Sequence, residues 1–393
     1  MEADGLRLDA VEITGFYGLR KAVWFMKVLE LSRMNGRWRT IAFLLFAAAL
    51  LAAPLFLSDF RLSLLAKFLT YAILAIGLDL IWGYTGILSL GHGVFFGIGA
   101  YAMAMHLKLE ATGGRLPDFM QWSGVDKLPW FWQPFHSFGM AVLLGIALPM
   151  LFAALLGFFT FRNRIRGVYF TILTQALVII TTTLLIGQQG YTGGTNGITS
   201  FSTVLGQPIR SPEMRLLLYW ITAIVLIGVF LGCRRLVTSR FGQVLKAIRD
   251  GEDRTRFLGY NPAAYKIFVF SLSAGIAGIA GMLFVFHVGI IAPSMISIVP
   301  SIEMALWVAI GGRGTLIGAV IGALSLNWGK SLFSEAYPDM WQYFLGLMLI
   351  VVVVFLPRGI VGAADRVKLL ITRRRYSDER ASGKDMVAGE SGG

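Results

Sequence analysis

An all-α fold, a polytopic helical bundle integral to a membrane, is predicted by three features of the sequence. Of its 393 residues, 56% are hydrophobic and only 15% charged, where soluble globular chains carry about 25% charged residues. The mean hydropathy is +0.69. The apolar residues form long uniform runs, and about 20 such residues cross a bilayer as a helix. A lipid-exposed backbone must satisfy its own hydrogen bonds, which favours helices; a barrel needs alternating strands of about 10 residues. Lys and Arg gather between alternate runs, the pattern of membrane orientation.

In chain order the candidate spans are 41–57, 62–82, 94–107, 139–160, 168–186, 215–232, 265–288 and 341–356, and the further apolar stretch 296–329 brings the expectation to about 8–10. Segments 1–39, 161–166, 234–266 and 358–393 hold 26 of the 35 Lys and Arg, and the opposite loops hold six. The positive-inside rule places the rich side, with both termini, in the cytoplasm. The net charge of +13 is thereby accounted for without a nucleic-acid partner. Parity makes 296–329 enter and leave on one side, so the break Gly311-Gly312-Arg313-Gly314 becomes the tip of a hairpin with two arms of about 15–17 residues. A second Gly-rich break, Gly83 to Gly93, follows span 62–82 on the same side. Both breaks share G-x-x-G-x-L, at 83–88 and 311–316, as a parallel internal repeat would, or as chance allows among 46 glycines.

The domain organisation expected is a cytoplasmic extension at 1–39, a transmembrane domain at 40–360 containing a cytoplasmic loop at 233–264, and a mostly disordered cytoplasmic tail at 361–393. The extension mixes Trp24 and Met26 with Arg20, Lys21 and Lys27, which reads either as an interfacial helix or as a poorly ordered tail.

Catalytic signatures are absent from the sequence. The lone Cys233 excludes a disulfide framework and a thiolate metal cluster, and the four histidines are scattered. Gly329-Lys330-Ser331 resembles the end of a P-loop, but Leu324 stands where its first Gly belongs. No metal, cofactor or enzyme activity is expected. In the 233–264 loop, Phe241, Val244, Leu245 and Ile248 make one apolar helical stripe, with Arg249, Asp250 and Glu252 beside it. Such a helix docks into a groove on a partner or lies on the membrane surface.

Ionisable residues within spans are costly, and the acids there are Asp79 and Glu303. Asp79 and Arg313 both sit near the inner breaks and are expected to pair, as a salt bridge fixing helix register or as part of the path. Glu303 is placed near the outer end of the hairpin's first arm, where it can face water, and Lys67 is expected to snorkel to the outer interface. The outer loop around Thr195 and Asn196 lines a vestibule or is an ordinary turn.

Several motifs, in order, then resemble one family. Ser89-Leu90-Gly91-His92-Gly93-Val94-Phe95-Phe96-Gly97 through Tyr101, the outer Gly193-Gly194-Thr195-Asn196-Gly197, the loop Lys246-Ala247-Ile248-Arg249-Asp250, the break at Gly311 to Thr315, and Pro357-Arg358-Gly359-Ile360 are similar to signatures of LivM-like permease subunits of ABC importers for branched-chain amino acids and urea. Trp82 to Gly86, Arg249 to Asp253 followed by Arg256 to Tyr260, and Ser301-Ile302-Glu303-Met304 look like the urea branch; amino-acid permeases usually have small residues where Arg254 and Arg256 stand. The resemblance covers about 40–365 and leaves the first 39 residues unmatched.

It implies a heterodimer with a second permease subunit, two cytoplasmic ATPase subunits and a periplasmic substrate-binding protein. Phe241, Val244, Leu245, Ile248, Arg249, Asp250 and Glu252 become the ATPase-coupling residues. For urea the polar path candidates are Glu303, Tyr84, Ser89, His92, Thr195 and Asn196. A branched-chain amino acid is the alternative solute, needing an apolar pocket and groups for a zwitterion. A stand-alone channel or secondary transporter is the alternative of a different class.

Overall fold

In a computed structural model of the protein, the described residues are 46–350, apart from 202, 210, 338, 339, 341, 342, 344, 345 and 349. The expectations for 1–39, for Pro357 to Ile360, for the 361–393 tail, for the first five residues of span 41–57 and for most of span 341–356 lie outside them.

The long helices are α1 (Asp59–Thr85), α2 (His92–Ala111), α3 (Phe138–Arg162), α4 (Val168–Gly187), α5 (Pro212–Thr238), α6 (Arg240–Phe257), α7 (Pro262–Val288), α8 (Ile298–Gly311) and α9 (Leu316–Ala336). Among the described residues, α1, α3, α4, α5, α7 and α9 are long and apolar enough to cross a membrane, and Phe46–Leu55 and α8 are shorter apolar helices. The protein is a polytopic helical membrane protein.

Local chemistry sets the helix ends. Ser211 and Asn261 cap α5 and α7 by accepting the N–H of Met214 and Ala264, with Pro212 and Pro262 at the first turn. Gly86 and Gly289, both left-handed, terminate α1 and α7. The stretch after α1 is not helical, so its backbone needs other partners. Two come from α4: Thr171 donates to the Leu88 carbonyl at 2.9 Å, and Thr174 Oγ1 accepts the Leu90 N–H at 3.1 Å.

The centre is made by α1, α2 and α7, with α3 packed on α2 and α7 and with α5 and α9 packed on α1. Small residues permit this closeness, because helices in lipid gain association energy from packing. A Cβ at Gly278 of α7 would run into the Gly145 carbonyl and the Pro149 ring of α3, and one at Gly281 into the Phe96 carbonyl of α2. The outer faces of α3, α4 and α5 expose Leu151, Phe159, Ile172, Ile180, Leu217 and Ile224, as lipid contact requires.

The hairpin exists, but its arms are unequal: α8 has 14 residues and α9 has 21. The sequence reading ended the second arm at Gly329, where polar residues begin. The helix continues because Asn327 bonds back to the Ala323 carbonyl and Lys330 is paired across to α8. The arms close on small residues, with Gly318 and Gly322 against Gly311 and Trp307.

Loops sort to two ends as parity predicts. The end of α1, the 163–167 turn, α6 and the hairpin tip meet at one end through Gly83 with Gly314 and Arg166 with Asp253. At the other end Lys108 joins Asp118 and the Thr199 carbonyl, and Ile198 pairs with Ile291.

Candidate functional site

Two charged residues, Asp79 of α1 and Arg249 of α6, come together where α1 ends. Asp79 is fully buried. Its Oδ1 accepts the N–H of Gly314, at the hairpin tip, at 2.6 Å, and its Oδ2 has no partner among the described residues. One turn on, a Cβ at Gly83 would strike Asp79 Oδ1 and the backbone of Gly314. The last carbonyls of a helix have no internal partner. That of Gly83 is taken by Arg249 of α6, whose Nη1 donates to it at 2.8 Å. The stem of Arg249 lies over Gly86, and its Nε donates to Asp250 at 2.9 Å. Tyr84 is buried beneath the Lys246 ammonium, 5.7 Å from its ring centroid. One contact set thus joins α6, the end of α1 and the tip of the hairpin.

The expected Asp79–Arg313 pair is not formed. Arg313 sits over the Trp82 ring at 5.9 Å and stays exposed, so its charge keeps water. Asp79 instead receives a backbone N–H, released by the turn at Gly312 and Gly314, whose positive φ (116° and 77°) suits glycine.

The apolar stripe of α6 faces its own chain. Leu245 and Ile248 are buried, Phe241 stacks on Tyr265 with centroids 5.0 Å apart, and Val244 is half-buried. This corrects the expectation that the stripe is the docking surface: α5, α1 and α7 already cover it. Gly251 leaves helical geometry and bends the segment. Beyond the bend Glu252 is enclosed by Lys266, Arg166 and Arg256, the last two at 3.2 and 3.3 Å. Asp253 accepts from Arg166 at 3.0 Å, and that bond holds its carboxyl below the usual carboxylate range. The surface left open is polar, at Gln243, Lys246 and Asp250, and then apolar at Phe257 and Leu258, which are 91% and 77% exposed. Those two exposed apolar residues were the signal missed in sequence.

Ile248→Asp is therefore expected to lose folded protein, since an unpaired carboxylate in an apolar site costs several kcal/mol. Size-exclusion yield and Tm in detergent check this. Wild-type values would show the site to be wet.

Ser89 and His92 belong to a buried network. Ser273 donates to the Gly77 carbonyl, so its oxygen accepts from His92 Nε2 at 2.7 Å. His92 Nδ1 is then the acceptor for Ser89, at 3.1 Å. Nε2 joins α2 to α7 and, through Ser273, to α1, while Nδ1 holds the stretch before α2, so neither ring nitrogen is left for a solute.

Glu303 also has a partner. Both its oxygens accept from Lys330 Nζ at 2.9 Å. Lys67 is half-buried and lies over the Tyr71 ring at 5.9 Å, and Tyr71 packs on Trp307 at 4.7 Å. Thr195 and Asn196 are exposed in a 3₁₀ turn (Gly194–Asn196) at the end of the bundle away from the junction.

Glu303→Gln is expected to lower stability by about 2–4 kcal/mol, because it leaves Lys330 opposite a neutral group. A fall in Tm with uptake per folded molecule retained fits the pairing role. Lost uptake at an unchanged Tm contradicts it.

The chain matches the family model described as "Branched-chain amino acid transport system / permease component" over residues 60–353. It is similar to the high-affinity branched-chain amino acid transport system permease protein LivM of Escherichia coli, 26% identical over 344 residues, covering 81% of this chain and 74% of that one. It is also similar to the permease protein BraD of Pseudomonas aeruginosa, 24% identical over 311 residues, covering 75% and 92%. The probable LivM of Methanocaldococcus jannaschii is 26% identical over 297 residues, covering 70% and 82%. No solved structure matches the chain. The family match runs from the first long helix past the hairpin, and the chain belongs to the family of permease components of branched-chain amino acid transport systems.

Proposed function

We propose that this chain is one permease subunit of an ABC importer in a bacterial inner membrane, and that its solute is an aliphatic amino acid. It works beside a second permease subunit, two cytoplasmic ATPases and a periplasmic binding protein. The observation that carries the coupling role is the Arg249–Gly83–Asp79–Gly314 junction, which ties the surface helix α6 to both Gly-rich breaks. A force applied to α6 reaches the end of α1 and the hairpin tip through two hydrogen bonds. The charge distribution supports a cytoplasmic α6 and cytoplasmic termini.

The solute reading departs from urea for a physical reason. Glu303 was to be the acceptor for urea N–H groups, but both of its oxygens already accept from Lys330, which gives it a charge partner within the chain. The relatives reported above are named for branched-chain amino acids. Uptake of L-leucine and of urea into proteoliposomes holding the assembled importer, with its binding protein and ATP, separates the two. ATP-dependent leucine uptake is expected; urea uptake without leucine uptake overturns the reading.

The ATPase contact is assigned to the open surface of α6 with Phe257 and Leu258. Phe257→Asp is expected to keep the folded yield and to weaken copurification of the ATPase by about tenfold, as for loss of an exposed apolar anchor. Undiminished copurification would remove Phe257 from the interface.

A further inference from the structure

A cavity of about 490 Å³ opens between the first turns of α1 and α5, the last turn of α7, and Ser200, Phe201 and Ile209, away from the junction. Its size falls within the roughly 300–1,000 Å³ of small-molecule sites. Leu62, Leu218 and Phe286 make an apolar wall, and Ser63, Arg215 and His287 bring polar groups to the lining.

The polar groups are unequally spent. Arg215 Nε is buried without a partner among the described residues. The guanidinium reaches Asp59, itself largely exposed, only at 3.4 Å. A buried N–H without an acceptor is costly, and a guanidinium fork matches a carboxylate in two parallel hydrogen bonds. His287 offers the opposite character. Thr222 donates to the Leu218 carbonyl, so it accepts from His287 Nε2 at 2.8 Å. That leaves His287 Nδ1 as an acceptor. The C-terminus of α7, at Val288 and Gly289, is also part of the lining, and a helix C-terminus favours a cation.

We propose that this cavity is an outer subsite for an aliphatic α-amino acid. Arg215 takes the carboxylate, His287 and the end of α7 receive the ammonium, and Leu62, Leu218 and Phe286 hold the side chain. A neutral amide lacks the anion that the guanidinium requires. The inference rests on the amino-acid reading above and deepens it. The phosphate of an anionic lipid shares the carboxylate's chemistry and is the other source of an anion here.

The test is photo-crosslinking of the full importer in phosphatidylcholine nanodiscs with a diazirine analogue of L-leucine, followed by peptide mapping. Crosslinks are expected in the peptides carrying Leu62, Leu218 or Phe286. L-leucine should compete them away and leucinamide, which lacks the carboxylate, should not. Arg215→Gln should lower them about tenfold or more, the loss of a charged hydrogen bond. Ser63→Trp, which fills the cavity from its rim, should do the same at a wild-type folded yield. Crosslinks elsewhere, or equal labelling of wild type and Arg215→Gln, overturn the subsite. So does labelling abolished by adding phosphatidylglycerol to the nanodisc, which identifies a lipid site. If crosslinking fails while leucine uptake persists, the subsite falls and the substrate class stands. Absence of leucine uptake by the wild type refutes the underlying reading itself.

Discussion

Gly83→Val is expected to abolish uptake and most folded protein. The added carbons have no space, because a Cβ at this position already meets the Asp79 carboxylate and the Gly314 backbone. Making room pushes the hairpin tip off α1 and breaks the hydrogen bond from Gly314 to Asp79. Overpacking costs about 1–3 kcal/mol and a stranded buried polar group about 1–3 kcal/mol more. Gly228→Val is the control: it lies on α5 with nothing near its Cβ position. Folded yield, Tm and uptake are compared. A Gly83→Val protein as stable and active as Gly228→Val would mean that α1 and the hairpin tip do not need their close contact.

The second large effect is expected from Arg249→Ala, and it differs in kind. Arg249 lies at the surface end of the junction and is about a third exposed, so its removal spares the core. What is lost is the donor to the Gly83 carbonyl and the packing on Gly86. Charged hydrogen bonds contribute about 1.5–3 kcal/mol. Uptake is expected to fall about tenfold or more while the folded yield and ATP hydrolysis of the assembled importer persist. Arg249→Lys should recover only part, since an ammonium lacks the fork that serves Gly83 and Asp250 together. Parallel loss of hydrolysis and uptake would place Arg249 in assembly rather than in coupling.

Sequence reasoning found both Gly-rich breaks, put them on one side, and noticed their shared spacing. The structure presses Gly83 of the first against Gly314 of the second. Glycine is informative there because only it permits such an approach. The same reasoning missed the partner of Asp79, for a clear reason: a search for partners among side chains finds Arg313 and overlooks a backbone N–H, which every residue except proline carries. It also mistook the direction of the α6 stripe. Spacing at i, i+3, i+4 and i+7 says that one face is covered but not by what, and Leu245 and Ile248 turn out to be covered by their own bundle. Glu303 was legible as a costly intramembrane acid, while its partner Lys330 looked like the polar end of a span. The features that pointed to Arg249 were its place beside the apolar stripe and in the Lys246 to Asp250 and Arg249 to Asp253 motifs, and none of them speaks of its inward hydrogen bond.

The central claim is that α6 acts on the hairpin tip through Arg249, Gly83 and Asp79 as one chain of contacts. A double-mutant cycle on uptake per ATP hydrolysed tests it most directly, using Arg249→Ala, Asp79→Leu and the pair in the assembled importer. Residues acting through one element give non-additive losses, whereas independent sites add within about 0.3–0.5 kcal/mol. The account predicts that the double variant is no worse than the more damaged single variant. Losses that multiply, with folded yields equal across the cycle, would contradict it.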